Sequence, residues 1–302
     1  MDEYTQRFRL VANQLFRLYD DDGIYIAYQP IYGFGKGHCH AGIINKYIVT
    51  YRTVTELAHL KFTSLLDVGA GEGYKASLIK RLFNVKVKCS DISEEACRRA
   101  EEIFGLEAIP ADVQNLPFRN DEFDIVLCSD TLQEVHDLQK AIAELLRVGA
   151  RAVVISVPHN LPVHDWYVHS FELNSFDFLK PEGYKVISKK MFSSLSGIPA
   201  LYIERAVQRP LAITGARHQN ISGNICNNVL RIPSKGFGKH STTLITQLDS
   251  MACKLAIGFH AILFIILKDN SAYMTRGSQN VSARQILDFA VPYHYAKRND
   301  LH

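Results

Sequence analysis

The sequence predicts an α/β fold in which helices cover both faces of a parallel β-sheet. From Leu65 onward, short apolar runs alternate with longer amphipathic segments. Two of the runs, FDIVLCS at 123–129 and RAVVISVP at 151–158, are apolar almost throughout, which is typical of strands that are buried on both faces. A regular alternation of strand and helix is the pattern of a parallel sheet with its connecting helices on either side.

The elements follow in order. SLLDV at 64–68 is strand-like, and GYKASLIKRLF at 73–83 places apolar residues at 78, 79, 82 and 83, which is helical spacing. VKVKCS at 85–90 predicts a second strand. SEEACRRAEEIF at 93–104 begins with a serine cap and is followed by Gly105, as helices often are. DLQKAIAELLRVG at 137–149 predicts another helix, and LAIGFHAILFIIL at 255–267 contains a final buried strand.

Composition narrows the class of protein. The chain has 302 residues and a net charge of +3, which is too weakly basic to indicate a nucleic-acid partner. Its six cysteines include no C-x-x-C pair, so we expect a reducing compartment rather than a disulfide framework. The longest apolar run is shorter than the roughly 20 residues of a spanning helix. We therefore expect a cytoplasmic protein with no transmembrane segment.

The stretch DVGAGEG at 67–73 predicts a ligand site. Glycines at every second position suit a sharp turn from a strand into a helix, whose first amides point at whatever lies over the turn. The third glycine comes one residue earlier than in the dinucleotide pattern G-x-G-x-x-G. Asp67 also stands just before the turn, where it would repel a pyrophosphate and attract an ammonium group. S-adenosylmethionine offers an amino-acid end for this turn.

Two further carboxylates follow the next strands. Asp91 ends the second strand, twenty residues after Gly71, and could accept hydrogen bonds from two ribose hydroxyls. Asp112, in IPADVQNLPF, stands where a third strand should end. It could accept from an adenine amino group, while the amide of Val113 could donate to the ring.

Together LLDVGAGEG, SDISEEACRRA, ADVQNLPF and FDIVLCSDTLQEVHDL resemble the class I S-adenosylmethionine-dependent methyltransferases, in their small-molecule branch. The resemblance covers about residues 62 to 192, with a weaker match at 244–268. It implies a Rossmann-like, doubly wound sheet of seven strands whose last strand is antiparallel. It also implies cofactor contacts from Asp67, Gly69, Ala70, Gly71, Gly73, Asp91, Ile92, Asp112, Val113 and Ser129. The chain departs from the family at Glu134, where a histidine is frequent, and at Glu72, where a small residue is usual.

The same resemblance suggests a division of the chain into four segments. We expect an N-terminal helical or lid segment at 1–60, an S-adenosylmethionine-binding core at 61–192, an insertion or cap at 193–256, and the last strand with a tail at 257–302. We expect the cap to determine which substrate binds, although its composition does not indicate the chemical class of that substrate.

Candidates for a general base lie in two histidine-containing stretches, because histidine titrates near neutral pH. YQPIYGFGKGHCH at 28–40 contains Tyr28, Tyr32, His38 and His40 and could fold over the cofactor. VPHNLPVHDWYVHSF at 157–171 follows the fifth strand and contains His159, His164, Asp165 and His169. We single out His164, His169 and His40 as catalytic candidates. The adjacent His-Cys-His at 38–40 does not match usual zinc spacing, so we expect no metal site.

The sequence thus predicts a methyltransferase acting on a small metabolite or a lipid-linked sugar, at oxygen, nitrogen or carbon. The alternative is a non-catalytic, methyltransferase-like cofactor-binding or scaffold protein. Methylation of nucleic-acid bases is disfavoured because CSDT, rather than an N-P-P-Y-type tetrapeptide, follows the fourth strand. The glycine spacing disfavours a dehydrogenase. The pattern specifies neither the methyl acceptor nor the oligomeric state.

Overall fold

The fold is taken from a computed structural model of the chain. It describes residues 2–19, 23–29, 31, 41–193, 249, 251–255 and 258–275, together with 277, 281–282, 285–286 and 289. The predicted cap at 193–256 and the glycine-rich stretch at 32–40 therefore lie almost entirely outside the described residues.

Seven strands form one sheet, in the order β3-β2-β1-β4-β5-β7-β6. They are β1 Ser64–Val68, β2 Lys86–Asp91, β3 Glu107–Pro110, β4 Phe123–Ser129, β5 Gly149–Pro158, β6 Lys185–Ser193 and β7 Phe259–Leu267. The pairs from β3 through β5 are all parallel, whereas β7 runs antiparallel to β5. The predicted seven-stranded sheet with an antiparallel last strand is confirmed.

The helices are α1 Glu3–Leu15, α2 Ala41–Leu57, α3 Tyr74–Phe83, α4 Glu94–Phe104 and α5 Leu138–Val148. Local signals set their ends. The Ser93 side chain accepts from the amide of Ala96 at the start of α4, and Gly105 ends that helix in a left-handed conformation. Asp137 caps α5 by accepting from the amide of Lys140. A short 3-10 helix, Leu132–Glu134, follows β4.

The core lies around the central strands. Residues 125–128 of β4, 152–157 of β5 and 262–266 of β7 are fully buried. These strands are buried on both faces, so their apolar runs are continuous rather than alternating. The carboxyl ends of β1 to β5 consequently meet at one edge of a rigid sheet, where side chains that follow the strands come together.

The chain divides into two compact units. The first comprises residues 1–17, 53–190 and 260–280 and contains the strand ends that are described below. The second comprises residues 18–52, 191–259 and 281–302. Among its described residues Ile24, Ile31 and Tyr47 are buried, and Tyr19 bridges to Tyr25. No helix within the described ranges is long and apolar enough to span a bilayer.

Candidate active site

The turn between β1 and α3 needs glycine at two positions for reasons of space. Gly69 has a φ of +70°, and a Cβ there would lie 2.0 Å from Thr131 Oγ1, in the segment after β4. Gly73 has a φ of +78°, and its Cβ would lie 2.7 Å from Leu106 Cδ1. Any side chain would therefore push the turn away from β4 or push α3 away from its neighbours. The turn is held close against the sheet and forms a tight cradle.

Asp67, the last polar residue of β1, lies buried beneath this turn. Within the described part of the chain, neither of its carboxylate oxygens has a hydrogen-bond partner. Burial raises the pKa of Asp67 to about 7, against the opposing effect of Lys75 and with a further contribution from Asp91. A buried carboxylate without a donor is costly, so this position favours a ligand that carries a cationic or donating group.

Asp91, at the end of β2, is fixed by two backbone amides. Its Oδ2 accepts from the amide of Gly71 at 2.9 Å, and its Oδ1 accepts from the amide of Ser93 at 2.9 Å. Burial raises the pKa of this carboxyl to about 6, although the two hydrogen bonds lower it. A carboxylate has about four acceptor sites, so both oxygens retain capacity for ligand hydroxyls. Asp91 also connects the glycine turn to the neighbouring strand.

Asp112 follows β3 and is half-buried. Its Oδ1 accepts from the amide of Gln114 at 2.9 Å and from the side-chain Nε2 of the same residue at 3.1 Å. Gln114 in turn accepts from the amide of Asp137 at 2.9 Å. The carboxylate is thus held in one orientation by a glutamine that the sequence pattern did not single out. Of the other predicted cofactor residues, Ala70 and Val113 are buried and Ile92 is half-buried.

Ser129, at the end of β4, belongs to a buried polar chain. The Nζ of Lys75 contacts Ser129 Oγ, which contacts Ser156 Oγ on β5. The sequence pattern did not single out Lys75, because a lysine in the first turn of an amphipathic helix resembles an ordinary solvated residue. The available signal was its position two residues after the glycine turn, where a cation opposes the helix dipole.

Glu72, the residue that departs from the family pattern, forms a fully buried ion pair. Its Oε1 lies 3.2 Å from Arg99 Nη2 of α4, and both side chains have no exposed surface. The Nη1 of Arg99 donates to the carbonyl of Phe16 at 2.6 Å. One guanidinium therefore joins the glycine turn, α4 and the end of α1.

Helix α1 contacts the segments that follow several strands. The hydroxyl of Tyr4 lies 3.1 Å from the carbonyl oxygen of Glu134, after β4, and 3.2 Å from that of Trp166, after β5, and shares its single proton between them. Farther along, Asn13 Oδ1 accepts from Ser93 Oγ at 2.9 Å, after β2. The sequence predicted a helical or lid segment at 1–60, within which residues 28–40 could fold over the cofactor. The described contacts place α1 itself along the strand ends.

The predicted base candidates occupy different surroundings. His169 is half-buried, and its Nε2 lies 2.8 Å from the carbonyl of Val135. His164 is exposed, and its Nδ1 accepts from the amide of Trp166 at 3.3 Å. His40, with Tyr32 and His38, lies outside the described residues. His169 therefore lies beside the 3-10 helix after β4, whereas the hydrogen bonds of His164 stay within the segment after β5.

Taken together, the strand ends present an ordered row of polar groups. Asp67 and Asp91 lie at the carboxyl ends of β1 and β2, Asp112 follows β3, and the ammonium of Lys75 contacts Ser129 at the end of β4. Such a row matches an extended ligand with hydrogen-bonding groups along its length and charges at one end. Such a ligand could donate hydrogen bonds to the two oxygens of Asp67, which have no hydrogen-bond partner among the described residues. It could also donate to the remaining acceptor sites of Asp91.

Comparison with known proteins agrees with this geometry. Residues 66–155 match the model of a family described as a methyltransferase domain. The chain is 28% identical over 136 residues to norajmaline N-methyltransferase of Rauvolfia serpentina, covering 42% of this chain and 43% of that protein. It is 32% identical over 160 residues to a fatty-acid O-methyltransferase of Mycolicibacterium smegmatis, covering 50% and 58%. The match thus spans about half the length of these relatives.

Among solved structures, Haemonchus contortus phosphoethanolamine N-methyltransferase 2, in complex with S-adenosyl-L-methionine, is similar with a TM-score of 0.49 at 15% identity. The similarity covers 76% of this chain and 57% of that one.

Proposed function

We propose that the whole chain transfers a methyl group from S-adenosylmethionine to a small-molecule acceptor, and the match of residues 66–155 to a family model described as a methyltransferase domain supports this. The observation that carries this proposal is Asp67, a buried carboxylate under a glycine turn with no partner in the described chain. A ligand ammonium would satisfy it.

We propose that polar groups at the ends of β1, β2 and β3 bind the cofactor along its length. Asp91, oriented by the amides of Gly71 and Ser93, would accept from the ribose hydroxyls. Asp112, held by Gln114, would accept from the adenine amino group, next to the amide of Val113. The cradle at Gly69, Ala70 and Gly71 would hold the amino-acid end above Asp67. Gly73, Ile92 and Ser129 complete the proposed set.

When bound, S-adenosylmethionine supplies an electrophilic methyl group on a sulfonium, which is already a good leaving group. The chain then has to hold an acceptor in line and exclude water. A base is needed only where the acceptor keeps its proton until late, as an alcohol does. We propose His164, His169 or His40 for that role.

For the acceptor we propose a small metabolite or a lipid-linked sugar. The names of the two relatives refer to N-methylation of norajmaline and O-methylation of a fatty acid, which supports a small organic acceptor. We further propose that residues 1–60 act as a lid and 193–256 as a cap for a core at 61–192, followed by the last strand and tail at 257–302. We also propose that the protein is cytoplasmic and has no nucleic-acid partner.

The test is a calorimetric titration of the full chain with S-adenosylhomocysteine. Asp91→Ala should weaken the affinity by about 1 to 3 kcal/mol, because hydrogen bonds to a charged group are lost. Glu107→Gln, an exposed carboxylate at the start of β3, is the matched control and should bind as the unmodified chain does. Unchanged affinity in Asp91→Ala would contradict the ribose site.

Activity is measured separately, as transfer of labelled methyl from S-adenosylmethionine to panels of fatty acids, tertiary and secondary amines, and polyprenyl-linked sugars. Transfer to one class identifies the acceptor chemistry. Tight cofactor binding with no transfer to any panel would favour the alternative of a non-catalytic cofactor-binding protein.

A further inference from the structure

Lys75 is a buried cation within the candidate site. It lies in the first turn of α3, and only 6% of the residue is exposed. Its Nζ donates to Ser129 Oγ and lies 3.6 Å from Asp130 Oδ2. An ammonium group is therefore held between the carboxyl ends of β1 and β4, beside the glycine turn.

This placement is costly for the protein alone. A cation in the first turn opposes the helix dipole, and burial removes the hydration of the ammonium. Lysine has three donors, yet Ser129 is the one acceptor at hydrogen-bond distance from it in the residues that the structure covers. The carboxylate of Asp130 lies beyond that distance, and its side chain is 33% exposed. Lys75 thus retains donors for an anion from outside.

A complementary group lies close by. Asp67 is buried with two oxygens that lack partners among the described residues, and the charge of Lys75 acts on it, lowering the pKa of Asp67 against the effect of burial. One unsatisfied anion and one partly satisfied cation therefore flank the same turn. An α-amino acid presents the opposite pair, an ammonium and a carboxylate on one carbon.

The order of the strands fixes which end of the cofactor meets this pair. Across the sheet, in the strand order β3-β2-β1-β4, the positions of Asp112 and Asp91 come before those of Asp67 and Lys75. If adenine and ribose occupy the first two positions, as the proposed function holds, the amino-acid end comes to the last two. The ammonium would meet Asp67, which leaves the carboxylate for Lys75.

We propose, on the basis of the proposed function, that Lys75 binds the α-carboxylate of the cofactor's amino-acid end. Lys75 thereby makes the site selective for adenosyl compounds that carry this carboxylate. Its contact with Ser129 holds the ammonium in place before the ligand arrives. Decarboxylated analogues, which keep the ammonium, would lose this contact and bind more weakly.

The experiment compares three ligands by calorimetry with the full chain and with Lys75→Met. S-adenosylhomocysteine has both charges, its decarboxylated analogue keeps only the ammonium, and 5′-methylthioadenosine has neither. Lys75→Met should weaken binding of S-adenosylhomocysteine by about 10- to 100-fold. It should change the affinity for the other two ligands by less than about threefold, so that the preference for the carboxylate disappears.

Two further variants serve as controls. Lys75→Arg keeps the charge and should retain most of the preference, which covers the case that Lys75→Met folds poorly. Lys80→Met removes an exposed lysine in the last turn of the same helix and should change nothing. Unfolding midpoints of all variants are measured alongside.

Three results would overturn the inference. Equal weakening of all three ligands by Lys75→Met would show that Lys75 only braces α3 against β4. An unmodified chain with no preference for the carboxylate would remove the proposal while leaving the methyltransferase function intact. An unmodified chain that binds none of the three ligands would instead overturn the proposed function itself, and this inference with it.

Discussion

The two halves of the sheet's carboxyl edge are built differently. At the ends of β1, β2 and β3, the polar groups follow directly on strands, and backbone amides hold two of the three carboxylates. Beyond β4 and β5, the candidate groups stand on irregular segments. There His169 contacts the carbonyl of Val135, and His164 contacts the amide of Trp166.

This difference explains why the sequence pattern predicts the residues at the ends of β1, β2 and β3 better than those after β4 and β5. A residue that ends a parallel strand has its position fixed by the pairing of the sheet, so its neighbours in space follow from the strand order. A residue on a long connection depends on contacts that many sequences could supply. The first half therefore suits a constant ligand, and the second half suits a variable one.

The largest expected effect is on stability, and it tests the buried ion pair beneath the turn that follows β1. Arg99→Met should lower the free energy of unfolding by about 3 to 5 kcal/mol, because it leaves Glu72 buried without its partner. Urea denaturation measures this. The matched control is its neighbour Arg98→Met, whose side chain is 43% exposed and whose ion pairs with Glu95 and Glu102 should contribute at most about 1 kcal/mol.

A double variant, Glu72→Leu with Arg99→Met, separates charge burial from packing. It should be more stable than Arg99→Met alone, since the buried charge of Glu72 is removed together with the guanidinium that pairs with it. If Arg98→Met and Arg99→Met lowered the free energy of unfolding by similar amounts, the buried pair would contribute no more to stability than the exposed pairs of Arg98.

The next effect concerns pH. The pKa of Asp67 is raised to about 7, so this carboxyl is mostly protonated at pH 6 and cannot pair with an ammonium. The affinity for S-adenosylhomocysteine should therefore rise with pH, from about tenfold weaker at pH 6 to a plateau near pH 8. Titrations in buffers with different ionisation enthalpies should also detect proton release on binding below pH 7.

Asp67→Asn tests the origin of that dependence. It should flatten the curve between pH 7 and 8, while the carboxyl of Asp91, whose pKa is about 6, continues to titrate lower down. A curve for Asp67→Asn that still rises by the same amount above pH 7 would assign the dependence to another group.

The smallest effects are expected in the second half. His169→Ala removes a hydrogen bond and should lower stability by about 0.5 to 1.5 kcal/mol, whereas the exposed His164→Ala should stay within about 0.5 kcal/mol. Neither should change the affinity for S-adenosylhomocysteine by more than about twofold. Turnover with an identified acceptor should fall in the variant that loses the base. Full turnover in both would remove these two histidines as candidates.

Local signals explain what could be predicted from the sequence. The serine cap at Ser93, the glycine at 105 and the continuous apolar runs each act within a few residues, so α4 and the central strands lie where they were expected. The carboxylates at positions 67, 91 and 112 could be predicted as neighbours because each stands at or just after the predicted end of a parallel strand. The antiparallel last strand followed from the resemblance rather than from any local pattern.

The rest depends on contacts between distant parts of the chain. Arg98 and Arg99 are identical neighbours on α4, yet one is exposed and the other fully buried. The helical period places Arg99 on the same face of α4 as the buried Ala96 and Ala100, but the local sequence does not show that Glu72 and the end of α1 supply its partners. The sequence did not predict Lys75 as a site residue, because its partner Ser129 lies more than fifty residues away along the chain.

The bonds of Arg99 also bear on which residues a folded core needs. Its guanidinium donates to the carbonyl of Phe16, far upstream of the stretch at 66–155 that matches the methyltransferase-domain model. A fragment trimmed to the shared stretch would strip a fully enclosed side chain of an acceptor and open the underside of the glycine turn to water. The first seventeen residues therefore take part in the packing of the buried Glu72–Arg99 pair, and expression of a shortened core should yield a protein prone to aggregation.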